Sequence, residues 1–212
     1  MSARNPSRRM RFPAARTRGS SLVEALLASA LLVVVAVPIF AMLESTSRFF
    51  GRGDAASTLQ NDLRPSMAQM VRELRMAGYD PSATGCAAFF EVAGPTTVRF
   101  LADADIIGTT ERIEYTYHPP KPNDPLARTI TRQVWLWVGP TCTDWGPADA
   151  ALVVARDVDS LTFTYFDAND DPPAGLADIR RVTVAAAGSR MVGGYGLERF
   201  TVSSDARARN LL

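Results

Sequence analysis

The sequence predicts an α+β protein: a long N-terminal helix, apolar at first and amphipathic further on, packed on an antiparallel β-sheet head. Three observations carry that expectation. Residues 25–43 run without a charge, apolar residues then recur at helical spacing from Leu59 to Ala77, and beyond Pro81 the pattern changes to short alternating runs. Four segments follow: a basic leader over 1–19, an apolar helix over 20–43, an amphipathic helical region over 44–80, and a β-rich head over 81–212.

The leader holds six arginines (Arg4, Arg8, Arg9, Arg11, Arg16, Arg18) and no acid, so the rest of the 212-residue chain carries 17 basic against 22 acidic residues. The 19 uncharged residues of 25–43 would cover about 30 Å as a helix, the thickness of a bilayer hydrocarbon core. With the arginines on one side and no comparable cluster after the span, the positive-inside rule keeps the N-terminus cytoplasmic and exports the head. The apolar run exceeds the roughly 7–15 residues of a cleaved secretory signal.

Apolar positions Leu59, Leu63, Met67, Met70, Leu74 and Ala77 trace one helical face. Gly78 and Pro81 mark its end, and Pro65 predicts a kink or the start of a second helix. Gly51-Arg52-Gly53-Asp54 reads as a glycine-bearing link, which is a better account of its Arg-Gly-Asp triplet than cell adhesion. Strand composition appears over 97–101, 112–117, 129–138, 160–166, 180–186 and 199–202. Ile113, Tyr115 and Tyr117 alternate with polar residues, as do Leu161, Phe163 and Tyr165, which predicts half-buried antiparallel strands. The proline-rich stretch 118–125 and the polar stretch 169–173 read as loops.

Composition and motifs exclude several functions. Lysine occurs once, at Lys121, and a net-acidic chain without its leader lacks the cation clusters of a nucleic-acid binder. The sole histidine, His118, sits in the proline-rich stretch without a motif around it. No P-loop, nucleophile elbow or zinc-protease motif is present, and Gly193-Gly194-Tyr195-Gly196 lacks the spacing of a nucleotide loop. The expectation is a protein that is not an enzyme and holds no cofactor. Asp167, Asn169, Asp170 and Asp171 have oxygens at calcium-like spacing but lack the glycine and distal glutamate of an EF-hand. A solvated turn is the simpler reading of that stretch, with a calcium site as the alternative. Asp103 and Asp105 form a smaller acidic pair.

Glu24 is the one acid at the head of the span. Ser21-Leu22-Val23-Glu24 matches the S-x-x-E capping box, which satisfies free backbone N–H groups at a helix start. An acid this close to hydrocarbon is costly unless paired, so a cationic partner is expected as well.

Gly19-Ser20-Ser21-Leu22-Val23-Glu24, with a basic leader before it and an apolar helix behind, resembles the class III signal of type IV pilins and pseudopilins. Ser20 stands where the family usually has phenylalanine or methionine, and Pro38 falls slightly earlier than the proline of many pilins. Arg72-Glu73-Leu74-Arg75-Met76-Ala77-Gly78-Tyr79-Asp80-Pro81 is similar to the PilW-type minor pilins. Val98-Arg99-Phe100, Ile113-Glu114-Tyr115, the stretch 158–165 and Arg209-Asn210-Leu211 follow in the same order.

The resemblance implies cleavage by a prepilin peptidase after Gly19, N-terminal methylation at Ser20, and pairing of Glu24 with the new amine. It implies a single-pass inner-membrane protein with a periplasmic head, which then enters a pilus or pseudopilus filament. Its partners would be the peptidase, other pilin or pseudopilin subunits and the inner membrane, with nucleic acid not a main partner. Two alternatives remain: a type II secretion pseudopilin of the GspJ kind, and a signal-anchored periplasmic enzyme or receptor. Given export, and given no competing role for either residue, a Cys86–Cys142 disulfide is expected. Two unpaired buried thiols are the alternative.

Overall fold

The computed structural model describes residues 21–86, 89–192 and 196–210, with the backbone alone at 51–53, 55, 56, 59, 192 and 196. The leader arginines, Gly19, Ser20, the 193–195 stretch and Leu211 lie outside the described residues, and so does the side chain of Leu59. The fold is α+β: one long N-terminal helix and eight antiparallel strands. The chain divides between Ser47 and Arg48 into two compact units.

Helix α1 spans Leu22–Arg75 without interruption. It begins where Ser21 Oγ accepts the Glu24 N–H at 3.3 Å and the Ser21 carbonyl accepts the Ala25 N–H at 3.1 Å, the serine half of the expected capping box. Two expected breaks are absent. Residues 51–54 are helical rather than a link, and no second helix starts at Pro65. Glycine costs a helix only about 1 kcal/mol relative to alanine, which the long helical segments on either side outweigh. Pro65 and Asn61 are both exposed, so the carbonyl that Pro65 leaves without its N–H partner can be hydrated.

Past Arg75 the chain makes a short turn and leaves at Gly78, whose φ of +85° suits the left-handed exit from a helix. The Gly78 N–H bonds to the Leu101 carbonyl at 3.0 Å. Asp80 organises the next loop: one oxygen accepts the Thr84 N–H and hydroxyl, both at 2.8 Å, and the other accepts the Thr110 hydroxyl at 2.5 Å. The Ala-Gly-Tyr-Asp-Pro stretch is therefore the exit of the helix and the start of the head. At the other end of the chain, the Arg209 N–H donates to the Arg75 carbonyl at 3.2 Å, and Asn210 Nδ2 donates to the Met76 carbonyl at 3.5 Å. These bonds satisfy carbonyls that a helix end leaves free.

Two sheets form in place of the single one expected. The first contains β1 (Phe90–Ala93), β2 (Thr97–Ala102), β3 (Glu111–His118), β4 (Thr129–Leu136) and β5 (Leu152–Ala155), in that order. The second contains β6 (Val158–Phe166), β7 (Arg181–Val192) and β8 (Gly196–Arg207), with a 3-10 turn at Leu176–Asp178 before β7. All pairings are antiparallel between consecutive strands. Along β3 the buried residues Ile113, Tyr115 and Tyr117 alternate with half-buried ones, as expected.

Leu63, Met67, Met70, Val71 and Leu74 of α1 enter one core with Phe100, Ile113 and Val134 of the first sheet and Leu161, Phe163 and Val184 of the second. Tyrosine hydroxyls tie the sheets together. Tyr117 donates to the Asp159 carbonyl at 2.5 Å and Tyr165 to the Gly94 carbonyl at 2.8 Å. Gly188 is needed for close approach, because a Cβ there would lie 2.8 Å from the Asp157 carbonyl oxygen and 2.9 Å from Leu63 Cδ1.

The Cys86–Cys142 disulfide is present, with a Cα–Cα distance of 5.3 Å. It joins the loop after α1 to the loop after β4. Trp145 Nε1 donates to the Cys142 carbonyl at 2.6 Å on the same loop.

Candidate functional site

Residues Leu22–Phe50 of α1 form a 29-residue stretch, long and apolar enough to cross a membrane, whose most apolar 18 residues have a mean hydropathy of 2.8. Its large apolar side chains, among them Leu26, Leu31, Val34 and Phe40, are exposed, so nothing among the described residues covers this surface. Polar groups within it are satisfied locally: the Ser29 hydroxyl donates to the Leu26 carbonyl at 2.9 Å and that of Thr46 to the Met42 carbonyl at 2.8 Å. Such internal bonding is what a hydrocarbon surrounding demands. Glu24 lies in the first turn of this stretch and is exposed. Its expected amine partner would come from Ser20, which lies outside the described residues.

The head contains a buried polar cluster that sequence reasoning missed. Glu73 of α1 is 2% exposed. Its Oε2 accepts the Tyr115 hydroxyl at 2.7 Å and Arg132 Nε at 3.0 Å, and its Oε1 accepts Gln69 Nε2 at 3.0 Å. Tyr115 and Arg132 are cross-strand partners on β3 and β4, so one carboxylate fastens the helix to the middle of the larger sheet. Burial, with the Glu73 charge and hydrogen bond beside it, pushes the Tyr115 hydroxyl far above the usual phenol range. Burial acts to lower Arg132, but the hydrogen bond and charge of Glu73 outweigh it and hold the guanidinium above its ordinary value. Both Glu73 oxygens are hydrogen-bonded within the cluster, which suits anchoring of the helix. A sequence signal existed: Glu73 lies three residues after Met70 and four before Ala77, on the apolar face.

Glu111 is buried at the start of β3, where its Oε2 accepts the Ala104 N–H at 3.2 Å. Burial, helped by the charge of Asp105, raises its carboxyl above the ordinary value of 4.5. A raised carboxyl favours the folded state while protonated and loses that contribution as pH climbs through its folded value. Glu111→Gln should therefore raise Tm at pH 7, with the gain vanishing below about pH 4. Melting curves at the two pH values check this, and an equal gain at both would contradict it.

Asp167 Oδ1 accepts the N–H groups of Asn169 and Asp171 at 2.8 and 3.0 Å, and Asp170 Oδ1 pairs with Arg181 Nε at 2.9 Å. Among the described residues no group of three or more metal-ligating side chains converges. One Asp167 oxygen is thus taken up within the turn and one Asp170 oxygen by Arg181. Asp103 Oδ2 and Asp105 Oδ1 accept the N–H groups of Gly108 and Ile107, while Asp103 Oδ1 is buried without a hydrogen-bond partner. His118 ends β3 rather than lying in the loop, and its Nε2 sits 3.0 Å from Thr131 Oγ1.

No protein-family model matches the chain, and no curated protein sequence does.

Proposed function

We propose that this chain is a pilin-like structural subunit, a minor pilin of the PilW kind that primes assembly or sits at the filament tip. It would be cut after Gly19, anchored by its apolar helix with the head in the periplasm, and then drawn into a filament. The observation that carries the reading is the exposed apolar stretch Leu22–Phe50, with the acid Glu24 in its first turn. A helix of this kind suits two successive environments, lipid before assembly and the apolar flanks of sister helices after it. In the second, each Glu24 needs a cation, and a new amine at Ser20 would supply it. A buried pair of that kind sets register, because a mis-stacked subunit leaves a charge unpaired.

Intact mass and N-terminal sequencing of the membrane-purified protein test the reading. A mature chain beginning at Ser20 is expected, and an intact leader in cells that contain the peptidase would overturn it. Substituting Gly19 should abolish the cut. Glu24→Ala should leave the cut intact and reduce incorporation into filaments, so normal incorporation would contradict the pairing account.

A further inference from the structure

A groove of about 790 Å³ lies between the last turns of α1, strand β8 and the loop joining β2 to β3. Its floor is apolar, with Met67, Val71, Met76, Ile106 and Val202 contributing, and its rim carries Arg64, Arg72, Arg75 and Arg209 with no acid in the lining. Of the other head arginines, Arg99, Arg112, Arg132 and Arg181 meet Glu114, Glu91, Glu73 and Asp170, whereas Arg156, Arg180, Arg199 and Arg207 are scattered and in none of the ion pairs among the described residues. None of the ion pairs among the described residues includes a rim arginine. The helix dipole accounts for cations at Arg72 and Arg75 in the last turn. Arg64, earlier in the helix, lies over the Phe200 ring at 5.5 Å, and neither that contact nor the dipole accounts for Arg209, on another segment beside the same floor.

Two further features bear on what would fill the groove. Strand β8 is the outer strand of its sheet and pairs only with β7 among the described residues. Such an edge leaves main-chain donors and acceptors open to another strand. Val202, Ser203 and Ser204 of that edge line the groove, and Arg75 Nη2 already takes up one β8 carbonyl, that of Asp205, at 3.2 Å. On the opposite wall Ile106 is 75% exposed with a φ of +62°. A β-branched residue in the left-handed region is strained, and such strain collects at recognition sites.

We infer that the groove is a docking site for an extended, acidic and apolar polypeptide segment, which adds as a strand to β8, lays alternate apolar side chains on the floor and sets carboxylates against the arginine rim. Main-chain bonds along β8 provide the recognition common to any strand, the floor selects apolar side chains, and the unpaired guanidiniums select acids. The inference stands on the head alone and is independent of whether the leader is removed.

Fluorescence anisotropy with the full chain in lipid nanodiscs tests it. The probe is a labelled nonapeptide alternating valine and threonine, with glutamate at two of the polar positions. Its controls are a lysine-for-glutamate version and an N-methylated version that cannot add to a strand edge. Saturable binding of the glutamate peptide is expected, with each control about tenfold weaker or worse. The double variant Arg72→Glu/Arg209→Glu should reverse the preference between the charged peptides, with an unchanged melting curve showing that the fold is kept. Equal binding of all three peptides, or a charge preference that survives the double variant, would overturn the proposal. Saturable binding of dodecanoate without peptide binding would overturn it in favour of a lipid-like ligand. Self-association lost in the double variant, without peptide binding, would overturn it in favour of a second copy of the chain.

Discussion

Glu73→Ala is expected to destabilise the head by about 3–5 kcal/mol, a fall in Tm on the order of 10 °C. The substitution leaves the Arg132 guanidinium and the Tyr115 hydroxyl facing a vacated site between helix and sheet. A buried charge without its partner costs more than the intact pair contributes, since the pair's attraction largely repays its own desolvation. Glu73→Met combined with Arg132→Met should accordingly recover most of the loss, because both charges then leave together. Thermal melting followed by circular dichroism distinguishes the cases. A single variant within about 1 kcal/mol of the parent would show that the cluster does not hold the helix to the sheet.

Loss of the disulfide is expected to have an effect of similar size. Cys86 and Cys142 are separated by 56 positions, and opening a loop of that length costs about 4 kcal/mol in the chain-entropy model. Cys86→Ser/Cys142→Ser should lower the denaturant midpoint, and a reducing agent should lower that of the parent to match. The Asp80, Thr84 and Thr110 hydrogen bonds beside the bridge would keep the loop's native course once folded, so the native spectrum should be unchanged. A midpoint insensitive to both substitution and reductant would contradict this account.

These two effects differ in how far the amino-acid sequence announced them. The cysteine pair was legible, because the expected export and the lack of a competing role left few uses for two distant cysteines. Glu73 was legible only in its place on the apolar face; a glutamate on an amphipathic helix ordinarily faces water, and only the meeting of β3 and β4 beneath it supplies Tyr115 and Arg132. The strands show the same division. Six strands were readable from composition, two of them also from alternation, whereas β1 and β5 have four residues each and sit at the edges of the larger sheet. Four residues barely display a period, and an edge strand owes its existence to the neighbour it pairs with.

By itself the sequence determined the long apolar helix with its capped acidic start, the helix exit at Gly78 and Pro81, the strand periodicity and so the α+β class. These are local matters of charge-free length, spacing and turn chemistry, and they depend on residues close together in the chain. Only the tertiary structure decided that the strands divide into two sheets, that residues 51–54 and Pro65 are carried within one helix, that Asp170 of the acidic turn pairs with Arg181, and that a groove rimmed by arginines opens beside β8. Each depends on contacts between residues far apart in sequence, where packing and partner geometry outweigh local preferences of about a kilocalorie per residue.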